Sequence, residues 1–255
     1  MKYLVKVTHR SGIGEFFEFL EKIFERYTLE SKVVISKTHR VKHLFTKVFE
    51  SDSILFEDHP QYLLQSNFLD VEKEISCSEE QFKDRERHED HYKKLIYTKQ
   101  YKYLPKLLRF KKTFRDKVKD IIDELNVTSK IGIHLRHDPR HPGDFGPYHY
   151  YKVRESLKKK ANLNIFLSCD NFFYKNMLSQ DFPKAIITEY QKKYNYSKND
   201  TVEIYDKYHD DNIAGLFYEA ILEATLVSQC DPLYLNKSSS FSSMIELLKD
   251  VYAKI

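Results

Sequence analysis

Apolar and polar positions along this 255-residue chain switch repeatedly between two periods. An alternating or continuous apolar run of a few residues marks a strand, and apolar positions three and four apart mark one face of a helix. Tyr3 to Val7 reads as a strand, Thr8 to Gly14 as a turn carrying two glycines, and Phe16, Phe17, Leu20, Ile23, Phe24 and Tyr27 as a helix face. Lys32 to Ser36 is the next strand, and Ser53 to Phe56 adds another. From Ser78 to Lys94 the chain is densely charged, with Phe82 and Tyr92 as its large apolar residues, and reads as a solvated surface excursion.

Leu107, Phe110, Phe114, Val118, Ile121, Ile122 and Leu125 then recur at helical spacing, and Asn126 is placed to cap that helix at its carboxyl end. Strand and helix alternate from there on. Strands are expected at Lys130 to Leu135, Leu163 to Ser168, Ala185 to Thr188 and Pro232 to Leu235. Helices are expected near Tyr148 to Leu157, Phe172 to Leu178, Ile213 to Val227 and along a terminal segment opened by Ser238-Ser239-Ser240-Phe241-Ser242. Alternation of this kind implies parallel sheets and an α/β fold. The break between two α/β units falls in the region of Leu95 to Pro105, which gives an amino-terminal unit 1–104 and a carboxyl-terminal unit 105–255.

Composition narrows the class. The chain is 41% apolar and 31% charged with six glycines and seven prolines, which places it among globular proteins able to bury a core. A net charge of +4 over this length gives no global field for nucleic acid, and the basic residues between Lys106 and Lys119 surround an apolar stripe as on any solvated helix. No apolar run approaches the roughly 18 residues that cross a bilayer, and the amino terminus carries no secretory core, so a cytoplasmic location is expected. Cys77, Cys169 and Cys230 are widely spaced, as expected of free thiols in a reducing compartment rather than a disulfide framework or a cysteine zinc site.

Candidate chemistry gathers at two places. Ile131-Gly132-Ile133-His134-Leu135-Arg136 delivers a histidine and an arginine from the carboxyl end of a buried strand, where open α/β sheets meet their ligands. His134 and Arg136, two apart, share a face. A guanidinium at such a point suits an anionic substrate group, phosphate above all, although a surface ion pair is the plainer alternative. The serine-rich start at Ser238, Ser239 and Ser240 is a second anion-binding device, because a helix amino terminus presents hydroxyls and unused N–H groups. Gly12 and Gly14 fit a backbone that approaches a ligand closely, or a simple tight turn. Asp170, ending the Ile165-Phe166-Leu167 strand, is placed either to meet a ribose or to cap the following helix. Glu223 lies among Ile221, Leu222, Ala224 and Leu226, where a carboxylate is either partly exposed or buried against a partner. Guanine, with adjacent N1–H and N2–H donors, would be such a partner. The loop with His137, Asp138, Arg140, His141 and Asp144 is rich in ionisable groups, but Pro139 and Pro142 oppose a helix and no zinc spacing is present.

At these residues the chain resembles the fucosyltransferase superfamily that includes α-1,6-fucosyltransferases, nodulation-factor fucosyltransferases and protein O-fucosyltransferases. Ile131 to Arg136 is similar to that family's Gly-Val-His-Val-Arg strand, and Ile165 to Asn171 to its strand ending in Thr-Asp-Asp. Leu226-Val227-Ser228-Gln229-Cys230-Asp231 followed by Ser238 to Ser242 is similar to its Leu-Ser-Gln-Ala-Asp and Ser-Ser pattern. The Gly12-Ile13-Gly14 turn fits the family's glycine loop more loosely. The resemblance implies a GT-B architecture of two Rossmann-like domains with parallel sheets facing a cleft, and metal-independent, inverting transfer of fucose from GDP-fucose to a glycan or glycoconjugate hydroxyl. GDP-fucose is then the donor substrate, with no cofactor. By the same resemblance Arg136 contacts the β-phosphate, His134 and Glu223 contact guanine, and Ser238, Ser239 and Ser240 hold the pyrophosphate. In the α-1,6 branch the base is a glutamate eight residues past the motif arginine, an offset that here gives Asp144. The family often follows the motif arginine with a second one, where this chain has His137. That departure leaves room for a nucleotide-sugar-binding pseudoenzyme or assembly subunit, and a transferase of another GDP-sugar is a further alternative because guanine and diphosphate contacts do not name the hexose.

Overall fold

The computed structural model describes residues 2–7, 13–27, 32–36, 42–57, 71–77, 101–135, 147–158, 163–169, 172–187, 210–235 and 239–253. Its first half holds β1 (Lys2–Val7), α1 (Ile13–Tyr27), β2 (Lys32–Ser36), α2 (Lys42–Lys47), β3 (Phe49–Glu50), β4 (Ile54–Glu57) and β5 (Val71–Cys77). Then come α3 (Leu104–Leu107), β6 (Arg109–Phe110) and α4 (Lys112–Leu125). The second half holds β7 (Ile131–Leu135), α5 (Pro147–Lys158), β8 (Ile165–Cys169), α6 (Phe172–Asp181), β9 (Ile186–Ile187), α7 (Asp210–Ser228), β10 (Leu233–Tyr234) and α8 (Ser240–Tyr252).

Two four-stranded sheets result, in the orders β4-β2-β1-β5 and β10-β7-β8-β9, and every strand pair in both is parallel. Mixed α/β architecture with parallel sheets is therefore as the periodicity implies. Asn126 closes α4 in the left-handed conformation (φ 49°, ψ 51°), its backbone N–H reaching the carbonyls of Asp123 and Ile122.

Alternation along the second sheet sorts its side chains to two sides. Ile133, Leu135, Ile165, Leu167 and Cys169 pack with Tyr150, Val153 and Leu157 of α5 and Leu178 of α6. Phe166 joins a larger core on the other side, built from α1, α2, α4, α7 and α8. Gly132 lies on this second side because α7 and its exit loop leave no room: a Cβ there would meet Cys230 Cβ and Leu233 Cδ2 at 2.7 Å and Val227 O at 3.0 Å.

Several expectations are corrected. The turn expected to run to Gly14 stops earlier, because α1 already begins at Ile13 and Gly14 is its second residue. The continuous helix expected from Leu107 is interrupted: Phe110 pairs with Phe49 in the antiparallel ribbon β3/β6, and α4 starts at Lys112. Strand β5 was not foreseen. It pairs with β1 from Lys2↔Val71 to Val7↔Cys77, at the edge of its sheet. An edge strand tolerates the charges of Val71-Glu72-Lys73-Glu74-Ile75, and those same charges hide it from a hydrophobic pattern. The excursion from Ser78 to Lys94 lies outside the described residues.

Candidate functional site

The site is assembled where β7 ends. His134 is the fourth residue of that strand, and its partner in β8 is Ser168. Counting from Gly132, His134 faces the α7/α8 side, and there it meets the first turn of α8 directly. Its Nδ1 lies 2.7 Å from Ser242 Oγ, and its ring stacks on Phe241 with centroids 4.9 Å apart and an interplanar angle of 27°. The histidine is 2% exposed and Ser242 likewise. So the strand carrying the His-x-Arg motif and the serine-rich helix tip, about a hundred residues apart in sequence, touch through two adjacent side chains.

The tip itself is built from hydroxyls. Ser239 is the amino-terminal cap residue of α8, with extended backbone, and its side chain makes no capping hydrogen bond. Ser239 and Ser243 are buried and Ser240 is half-buried. The Ser243 N–H donates to the Ser239 carbonyl at 3.1 Å, which closes the first helical turn. The first N–H groups of the helix precede that bond, and together with the helix dipole they favour a negative charge at the tip.

Gly14 explains the approach of α1. A Cβ on it would meet Ser240 C at 2.5 Å and Phe241 N and Ser240 O at 2.6 Å. The close neighbour of this glycine is thus the backbone of the α8 tip. It brings the start of α1 to the serines. Farther along the same helix, Glu21 accepts the backbone N–H groups of Lys102, Tyr103 and Leu104, the last two at 2.9 Å. One buried carboxylate therefore fixes the entry to α3.

Glu223 is 1% exposed in α7, so the alternative of a partly exposed carboxylate is overturned. Helix α7 packs against β7, β8 and α8, the elements that form the site. Its Thr225 and Ser228 hydroxyls are satisfied within the helix by the Ile221 and Thr225 carbonyls. Cys230, buried beside Gly132, has its thiol pushed up to about 12, chiefly by desolvation, and is unsuited to nucleophilic chemistry. Arg136, Asp144, Asp170, Gly12 and Ser238 lie outside the described residues. Among the described residues no group of histidine, cysteine, aspartate or glutamate has a metal-binding arrangement. Nor is any described helix long and apolar enough to cross a membrane.

Of the residues singled out from sequence, His134, Ser239, Ser240 and Gly14 come together, and Glu223 is buried in a helix packed on the same strands. In the sequence Ser242 stands out only as part of the serine run. Its signal was a polar residue within the apolar stripe Phe241, Met244, Ile245 and Leu248, a pattern that marks a buried hydroxyl in need of a partner.

Two parallel sheets, with a strand end and a helix amino terminus meeting at the carboxyl edge of one, define an open-sheet α/β class of fold. Similar solved structures carry that fold. The crystal structure of the fucosyltransferase NodZ from Bradyrhizobium is 15% identical with a TM-score of 0.55, over 95% of this chain and 91% of that one. NodZ α-1,6-fucosyltransferase soaked with GDP-fucose is likewise 15% identical with a TM-score of 0.55, over 97% and 93%. The same enzyme co-crystallised with GDP is 14% identical with a TM-score of 0.54, over 95% and 91%. The chain thus has a fucosyltransferase-like fold. No family model matches the sequence, and no curated protein does.

Proposed function

We propose that this protein is a GT-B-type, inverting, metal-independent glycosyltransferase that moves fucose from GDP-fucose to a hydroxyl of a glycan or glycoconjugate. In this proposal residues 1–104 form the acceptor-side domain and 105–255 the GDP-sugar domain, with the two parallel sheets facing a common cleft. The observation that carries it is the contact of His134 with Phe241 and Ser242, which puts the end of the motif strand against the serine-rich helix tip. Arg136 follows the strand by one residue, beyond Leu135. It would grip the β-phosphate while Ser238, Ser239, Ser240 and the first N–H groups of α8 hold the pyrophosphate. Glu223 and His134 would read guanine, Asp170 the ribose, and Gly12 and Gly14 would let the α1 start lie against the tip. NodZ structures obtained with GDP-fucose and with GDP support the choice of nucleotide.

The reaction is a single displacement. An acceptor hydroxyl loses its proton to Asp144 as its oxygen bonds to the anomeric carbon, and the bond from that carbon to the diphosphate oxygen breaks. The negative charge leaves on GDP, where the Arg136 guanidinium and the α8 tip stabilise it.

Thermal denaturation with GDP, GDP-fucose, UDP and ADP tests the nucleotide assignment, since a ligand at about 100 times its Kd adds roughly 2.7 kcal/mol of stability. Stabilisation by both guanosine nucleotides is expected. A preference for UDP would remove the guanine assignment, and GDP binding without transfer in a donor and glycan screen read by mass spectrometry would leave a nucleotide-sugar-binding protein.

A further inference from the structure

We infer that α1 is a strut between the α8 tip and the segment by which the chain leaves its first half, with Glu21 as the positioning residue at the far end. An anion held at the tip then also locks Lys102 to Leu104. The inference deepens the reading of the tip given above and rests on it for GDP as the probe.

The two ends of the strut are built differently. At its start α1 meets main chain: a Cβ on Gly14 would lie 2.5 Å from Ser240 C and 2.6 Å from Phe241 N. A movement of α1 is therefore felt directly at the tip. Seven residues on, about 10 Å along the axis at roughly 1.5 Å per residue, Glu21 reaches the other end. Its Oε1 accepts the N–H groups of Lys102 and Tyr103, and its Oε2 accepts that of Leu104. Between the two ends Phe17 and Leu20 are buried in one core with Tyr101, Leu104, Met244 and Leu248. Helix, segment and α8 thus share their interior.

Charge makes the tie mechanical. Glu21 is 8% exposed. If Lys102 to Leu104 peeled away alone, the carboxylate would lose three donors at once and stay behind where little water reaches it. Stranding a buried charge costs more than losing a neutral hydrogen bond. An opening that avoids this cost takes the carboxylate along, and with it α1, whose start then leaves Ser240 and Phe241. Loosening the segment and uncovering the tip are therefore one event. A ligand that needs the intact tip opposes both, and by reciprocity a loosened segment weakens that ligand.

Hydrogen exchange on the full chain, read amide by amide with and without GDP, tests the strut. At about 100 times its Kd, GDP should slow exchange at Lys102 to Leu104 by up to about a hundredfold. The last turn of α5, residues 155–158, packs on the other side of the second sheet and should not respond. Protection of neither segment, or of both alike, overturns the inference. Glu21→Gln keeps an accepting oxygen but leaves no charge to strand, and it should cut the protection by about tenfold, the difference between a charged and a neutral acceptor. Undiminished protection in that variant removes Glu21 from its role. Two readouts need no nucleotide. Gly14→Ala should speed exchange at Lys102 to Leu104 relative to α5, and Glu21→Gln should speed exchange of the Ser243 amide, which closes the first turn of α8. If neither variant is felt at the opposite end, the strut is overturned. If the wild type binds no GDP, it is the nucleotide assignment that falls, and these two variants still decide whether α1 joins the two ends.

Discussion

At the scale of single residues, two glycines are required by neighbours rather than by turns. A Cβ on Gly14 would meet the backbone of Ser240 and Phe241 at 2.5–2.6 Å, and backbone atoms in a helix start cannot step aside as a flexible side chain would. Gly14→Ala should therefore push α1 from the α8 tip and cost about 1–3 kcal/mol of stability, the usual penalty of overpacking. Denaturant unfolding would measure it, and a neutral result would show that the helices separate freely. Two substitutions probe the proposed chemistry beyond the strand. Arg136→Ala should lower transfer by orders of magnitude while far-ultraviolet circular dichroism stays unchanged, and near-normal transfer would remove its assigned role. Asp144→Asn should abolish transfer yet retain GDP affinity, and unchanged turnover would move the base to another residue.

Among the elements, α1 joins distant parts of the chain. It abuts α8 at Gly14 and, two turns on, Glu21 takes the N–H groups of Lys102, Tyr103 and Leu104. Helix α3 is four residues long with Tyr103 providing no side-chain cap, so its entry depends on a carboxylate from another element. Glu21→Ala strands those amides in a largely buried place and should cost about 2–4 kcal/mol, whereas Glu21→Gln retains one accepting oxygen and should cost less. Equal stability of the two variants in urea unfolding would show that water replaces the carboxylate. This clamp was invisible in the sequence because Glu21 occupies an ordinary helix position among Leu20, Ile23 and Phe24. The β3/β6 ribbon escaped notice for a similar reason. A pairing of Phe49 with Phe110, reinforced by Arg109 with Asp52 at 3.0 Å, leaves no periodic signature in either two-residue stretch.

For the whole molecule, buried phenols and a thiol set the response to base. Tyr150 is pushed up to about 12 and Cys230 to about 12, and Tyr101, Tyr174 and Tyr252 are raised as well, desolvation being the largest cause in each. In the unfolded chain a thiol titrates near 8.5 and a phenol near 10. The unfolded state therefore releases these protons first and binds fewer than the folded state between those values and about 12. Stability contributed by the neutral groups is fully present below the unfolded pKa and is lost as pH rises through the folded one. Urea unfolding should show a steep decline above about pH 9, and a flat profile to about pH 11 would contradict the burial of these groups. Tyr150→Phe should flatten part of that decline. On the acid side Asp181, held low first by its hydrogen bond from Arg154 and also by Tyr150, works the other way. Its contribution is present above the unfolded carboxyl value of about 3.9 and fades as pH falls through the depressed folded value.

The sequence by itself determined what depends on near neighbours. Periodicity is a local property, so the strand and helix order of the carboxyl-terminal half was legible nearly to the residue, as was the Asn126 cap. Tertiary structure alone decided what depends on residues distant along the chain. It set the charged edge strand β5 beside β1, and it broke the helix expected from Leu107 by pairing Phe110 with Phe49. It also seated the α8 tip against Gly14 and gave Ser242 its partner across the fold. A pattern of apolar residues specifies which face turns inward, but hydrogen-bond partners and close backbone approaches exist only once separate faces are brought to the same core.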